Sequence, residues 1–211
     1  MKLTIPNILT LFRIVLIPVL VIGFYLPYMW SNFLAAFIFA VCAITDWADG
    51  WIARRYGMYS AFGAFLDPVA DKLAVAVALF IVVQSHPTVW LALLSAVIVG
   101  REITISALRE WMAEVGQRRQ VKVATVGKVK TVVQMLAIVF LVYRDDVFGL
   151  PIFTIGEWLL AVAAALTLWS GLAYLRAAWP AFRGEGRQPG PAASAGAGSD
   201  PAAGAGGAEN S

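Results

Sequence analysis

The sequence predicts an all-α integral membrane protein: six transmembrane helices with a polar cavity at the cytoplasmic face. Three observations carry that expectation. Of 211 residues, 60% are hydrophobic and 14% charged, whereas a soluble domain is about half apolar and a quarter charged. The apolar residues gather into six runs, each near the roughly 20 residues that cross a bilayer. The basic residues fall on alternate connections between those runs, as cytoplasmic loops do.

The runs are expected at 8–27, 31–54, 62–84, 87–113, 127–144 and 153–178. The first ends at "YLPYMW", an aromatic and Pro cluster typical of a membrane interface. The third follows "RRYGMYS", and the fourth follows the "SHPT" break. The opening "MKLTIPNILTLFR" has one Lys before an apolar run, like a secretory signal. Arg13 interrupts that run early and no small-residue cleavage site follows, so it reads as an interfacial lead-in to a retained first helix.

Connections 28–31, 85–88 and 145–152 hold no Lys or Arg, and only Arg144 lies beside one of them. The other 15 of 16 basic residues lie near the N-terminus, the 2–3 and 4–5 connections, or the C-terminus. Both termini are therefore expected in the cytoplasm, in keeping with an even number of spans. Residues 1–183 form one membrane domain on this reading. Residues 184–211 are Gly, Ala, Pro and Ser with no large apolar side chain, and are expected to be a disordered tail. The single Cys42 reads as a small apolar helix residue, since disulfides need pairs and thiol sites need clusters. His86 reads as a loop residue. No nucleic-acid partner is expected.

Four acids break the apolar pattern. On a helix, Asp46, Asp49, Gly50, Ala53 and Arg54 share one face, and Gly63, Asp67 and Asp71 share a face of the next. The short turn between them makes the helices antiparallel, so the two faces can meet. An ionised side chain at membrane depth costs at least about 3 kcal/mol, and such acids usually mark function. Two compensations are open: protonation, as in a proton relay, or hard divalent cations bound through carboxylate oxygens. Two divalent ions match four charges, whereas Arg54 matches one. Gly50, Ala53 and Gly63 leave room for a ligand; the bland alternative is close helix packing.

The pattern D-x-x-D-G-x-x-A-R, eight residues, G-x-x-x-D-x-x-x-D runs without a gap from Asp46 to Asp71. It resembles the signature of the CDP-alcohol phosphatidyltransferases. "IPNILTLFRI", "FGAFLDPVADK", "REITISALREWMAE" and "GKVKT" extend the likeness over about residues 4–180, toward members that use glycerol 3-phosphate. The resemblance implies transfer of a phosphatidyl group from CDP-diacylglycerol to an alcohol, with release of CMP. It implies that Asp46, Asp49, Asp67 and Asp71 hold two Mg²⁺ or Mn²⁺ ions, that Asp67 and Asp71 are catalytic, and that Asp71 is the general base. It implies that Asn7, Thr10, Asp49, Gly50, Ala53, Arg54 and Gly63 border the CDP-lipid. Asn7 also has a plain reading as the cap of the first helix. A homodimer is implied by the resemblance alone.

Candidate acceptor residues are Arg101, Arg109, Lys128, Lys130 and Thr131. A phosphate suits such a cluster; the bland alternative is cytoplasmic loop charge. Arg101 follows "LALLSAVIVG" directly and reads as half-buried, with Glu102, Glu110 and Glu114 available on the same helix to pair with these cations. Glycerol 3-phosphate fits, with one hydroxyl to attack and one phosphate to be held. Inositol phosphate and phosphatidylglycerol remain alternative acceptors. An ion or proton transporter would spread its acids through the membrane depth, and a scaffold would tolerate their loss.

Overall fold

The computed structural model describes residues 5–56, 61–114 and 125–182. They form α1 (Ile5–Tyr25), α2 (Ser31–Tyr56), α3 (Ala61–Ser85), α4 (Val89–Glu114), α5 (Thr125–Tyr143) and α6 (Ile152–Phe182). The six expected runs are these six helices, with ends displaced by a few residues. Residues 183–211, which contain the expected tail, lie outside the described residues. α1 begins earlier than the run suggests because Pro6 sits in its first turn, where a missing amide costs no helical bond.

Four of the helices contain a stretch long and apolar enough to cross a membrane: Asn7–Tyr25, Ser31–Ile52, Val89–Met112 and Ile152–Arg176. α5 contributes a shorter apolar stretch, Val129–Tyr143. α3 carries Asp67, Asp71 and Lys72 in its first half. Large apolar side chains line the outside of the bundle: Phe12, Val15 and Ile22 on α1 are all exposed, as are Phe33 and Phe37 on α2. A water-facing surface does not carry so continuous an apolar skin. Exposed aromatics collect toward its ends, with Tyr28, Trp30, Trp90 and Phe148 at one and Trp47, Trp51 and Trp179 at the other.

α1 packs on α2 and α3, α4 on α3 and α6, and α5 on α6, α2 and α3. The core is made where these seams meet, by Leu20, Phe39, Leu79, Leu91, Ile98, Ile138 and Leu160, all fully buried. α5 and α6 approach most closely. A Cβ on Gly156 would lie 3.1 Å from the Leu141 backbone nitrogen, so a larger residue would push the two helices apart by a few tenths of an ångström. Cys42 is buried in the core, and the loop residue His86 lies 4.3 Å from the Phe153 ring, both as their sequence context suggests.

The end formed by connections 1–2, 3–4 and 5–6 is closed by side chains rather than by charge balance. Arg144, at positive φ (63°), donates to Asn32 Oδ1 at 2.6 Å and lies 4.2 Å from the Phe24 ring centroid. Asn32 in turn donates to Asp145 at 2.8 Å. Burial lowers the Arg144 guanidinium from its ordinary value. These contacts explain why one arginine stands apart from the other fifteen basic residues: it ties connection 5–6 to α1 and α2. A cavity of about 390 Å³ in this half, lined by Phe33, Phe37, Val139, Phe140 and Tyr143, is apolar.

Candidate active site

The opposite half of the bundle is polar. On α1, Asn7, Thr10 and Arg13 recur every three residues and are all buried, at 4%, 0% and 1% exposure. Every third position drifts slowly around a helix, so the three share a face. That face meets the acids. Arg13 Nη2 donates to Asp49 Oδ2 at 2.5 Å, and Nη1 forms an ion pair with Asp46 Oδ1 at 2.9 Å. The Thr10 hydroxyl donates to Asp67 Oδ1 on α3.

Arg13 corrects the expected charge balance. Arg54 is the cation within the motif, but its side chain and that of Ala53 lie outside the described residues, although their backbone continues α2. The guanidinium that meets the acids belongs to α1. A buried cation within an apolar helix needs a partner, and Asp46 and Asp49 supply it. That requirement was the available signal, and it pointed only to the existence of a partner.

Asp49 is buried, whereas Asp46, Asp67 and Asp71 are half-buried. Asp67 lies within electrostatic reach of Asp46 and Asp49, and Asp46 within reach of Asp71, so the faces of α2 and α3 do converge. Gly50 is half-buried and Gly63 buried beside them. Asn7 lies inside α1, two residues past its described start, and points inward; the reading of Asn7 as the helix cap is therefore set aside.

The donor chemistry fits hard divalent ions: four carboxylates from two facing helices. Among the described residues, however, no three His, Cys, Asp or Glu side chains are gathered as a metal cage. Asp46 and Asp49 each turn an oxygen to Arg13, and Asp67 turns one to Thr10. The protein's own donors hold one oxygen on each of these three acids.

A second polar group joins α4, α5 and α6. Glu102 accepts from Lys130 Nζ and from Gln134 Nε2, both at 3.1 Å. Lys130 and Gln134 are buried. Asp71 feels the charge of Glu102, and Lys130 that of Asp71, so this triad adjoins the acid cluster. The expectation that Glu102 pairs with cations on its own helix is thus replaced by a bond across to α5. A helix neighbour one residue away points about 100° elsewhere, so Glu102 accepts its hydrogen bonds from α5 while its charge still reaches Arg101. Glu110 is exposed, and the Glu114 side chain lies outside the described residues.

Arg101 is half-buried as expected, and Nη2 donates to Ser170 Oγ on α6 at 2.8 Å. Arg109 is exposed; Nη2 lies 3.3 Å from the Tyr174 hydroxyl, with the guanidinium 5.2 Å from that ring's centroid. The acceptor candidates separate here. Arg101, Arg109 and Lys130 share the α4–α5–α6 end, Thr131 is exposed on α5, and Lys128 has only its backbone described. Gln134, Ser170 and Tyr174 give no signal in the sequence, because isolated polar residues in apolar helices carry no spacing signature.

The sequence profile of the CDP-alcohol phosphatidyltransferase family matches residues 3–169. The chain belongs to this family. It is 52% identical over 185 residues to the CDP-diacylglycerol–glycerol-3-phosphate 3-phosphatidyltransferase of Pseudomonas fluorescens, covering 87% of this chain and 94% of that one. The proteins of the same name from Escherichia coli (strain K12) and Shigella flexneri are each 52% identical over 178 residues, covering 84% of this chain and 96% of theirs.

Proposed function

We propose that this chain transfers the phosphatidyl group of CDP-diacylglycerol to glycerol 3-phosphate, giving phosphatidylglycerol phosphate and CMP. The observation that carries the reading is the intact motif from Asp46 to Asp71 in a chain 52% identical to relatives named for that transfer. The primary hydroxyl oxygen of glycerol 3-phosphate attacks the lipid-side phosphorus. The bond from that phosphorus to the CMP oxygen breaks, and CMP leaves with the electron pair. Asp71 accepts the hydroxyl proton.

Two Mg²⁺ or Mn²⁺ ions, held by Asp46, Asp49, Asp67 and Asp71, would neutralise the diphosphate and stabilise the leaving group. Arg13 and Thr10 hold three of those acids in place. Asn7, Thr10, Asp49, Gly50, Ala53, Arg54 and Gly63 border the CDP end of the donor. Arg101, Arg109 and Lys130, with Lys128 and Thr131 beside them, receive the acceptor phosphate. The two charged groups meet where Asp71 approaches Glu102 and Lys130, which suits a step joining two substrates.

All six helices cross a bacterial inner membrane on this reading, with both termini and a polar active-site cavity on the cytoplasmic side. The placement of the basic residues supports that orientation. Assembly as a homodimer rests on the family likeness. The test is an acceptor screen with purified protein, labelled CDP-diacylglycerol and a panel of alcohols. CMP should appear with glycerol 3-phosphate. Release with inositol phosphate or phosphatidylglycerol, and none with glycerol 3-phosphate, would overturn the assignment.

A further inference from the structure

The cations of the α4–α6 end are held in two different ways. Lys130 is matched by Glu102 at 3.1 Å. Among the described residues, Arg101 and Arg109 pair with no carboxylate; their partners are the neutral hydroxyls of Ser170 and Tyr174. The Ser170 hydroxyl also donates to the Thr167 carbonyl at 3.1 Å, which leaves its lone pairs for Arg101. α6 packs against the Arg101 stem at Gly171, where even an added Cβ would lie 3.4 Å from Arg101 Cγ, in ordinary contact.

α4 and α6 run parallel, and their contacts bring the guanidiniums together. Arg101 and Arg109 are eight residues apart, about 12 Å along α4, whereas Ser170 and Tyr174 are four apart, about 6 Å along α6. The arginines therefore lean toward each other and come within electrostatic reach, with Glu102 also acting on Arg101. Their hydrogen-bond partners among the described residues are neutral hydroxyls, with the Glu102 carboxylate acting on Arg101 only through space, so the guanidinium donors are not tied up in a salt bridge. Arg101 Nε, buried and without a partner among the described residues, adds a spare donor.

We infer that Ser170 and Tyr174 of α6 are positioning residues that set Arg101 and Arg109 as a two-arginine cradle for the phosphate of the acceptor. This rests on the proposed acceptor reading. They act through the arginines and touch no reacting atom, so their loss weakens acceptor binding and spares the donor.

The test is steady-state CMP release by the full-length protein, varying glycerol 3-phosphate and CDP-diacylglycerol separately. Ser170→Ala and Tyr174→Phe should each raise KM for glycerol 3-phosphate about 3- to 10-fold, the worth of one hydrogen bond. kcat, donor KM and thermal midpoint should stay near wild type. Ser170→Thr, which keeps the hydroxyl, should restore acceptor KM. In an Arg101→Ala background Ser170→Ala should add nothing, and likewise Tyr174→Phe in Arg109→Ala. Additive effects, or donor and acceptor KM rising together, would overturn the inference while leaving the proposed reaction intact. Wild-type CMP release that ignores glycerol 3-phosphate would overturn both.

Discussion

The acid end of α1–α3 and the basic end of α4–α6 solve opposite problems. At the acid end, the buried Arg13 guanidinium pairs with Asp46 and Asp49, while among the described residues no ion pair is formed by Asp67 or Asp71. At the basic end, Glu102 matches Lys130, while among the described residues the two arginines hydrogen-bond to neutral hydroxyls and form no ion pair. Among the described residues, each end keeps charged groups that form no ion pair. The acid end is suited to cations and the basic end to an anion, and Asp71 and Glu102 lie where the two adjoin.

The contrast is broken most severely at Asp71 or Asp67. Replacing either by Asn should lower turnover by at least about 100-fold, the scale of a lost acid–base or charge-stabilising group. The protein should still insert, as judged by membrane fractionation. An Asp71→Asn enzyme of near-normal rate would remove Asp71 as the base.

Next in size is Arg13→Ala, which leaves Asp46 and Asp49 without their cation. A stability loss on the order of 3 kcal/mol is expected, the scale for unpairing a buried ion, read as a lower midpoint of unfolding in detergent. Adding Asp49→Asn should recover part of it, although activity stays low. A midpoint unchanged by Arg13→Ala would mean that the pairing carries no stability.

At the basic end the effect should be selective instead of total. Arg109→Ala should raise KM for glycerol 3-phosphate about 10-fold, the scale of one charge-assisted contact, with less change in KM for the lipid donor. The reverse pattern would move Arg109 to the donor site. Smallest of all is removal of 184–211, which belongs to neither end: activity within about 2-fold of full length is expected, because a Gly/Ala/Pro-rich stretch has too little apolar surface to join the fold. A large loss would give the tail a role.

The two ends also differ in how far the sequence reveals them. The helices were legible because long apolar runs between polar breaks determine their own positions. The acids were legible because both motif halves have helical spacing, which assigns residues to one face. Spacing says nothing about which helix that face meets. Hence Arg13 was visible as a charge in an apolar run, yet its bond to α2 was not, and Arg54 was the apparent counter-ion. Hence also Glu102 was assigned to its own helix when it reaches Lys130 and Gln134 on α5. Ser170 and Tyr174 give no pattern at all, since a hydroxyl in a membrane helix is commonplace until a partner 65 or more residues away is known.

The central claim is that the acid end is a metal-dependent transfer site fed by the basic end. Its most direct test is CMP release from CDP-diacylglycerol by purified protein, with glycerol 3-phosphate and a divalent cation each present or absent. The account predicts release only when glycerol 3-phosphate and Mg²⁺ or Mn²⁺ are supplied together. Absence of release under every condition, with ion flux across liposomes instead, would contradict it.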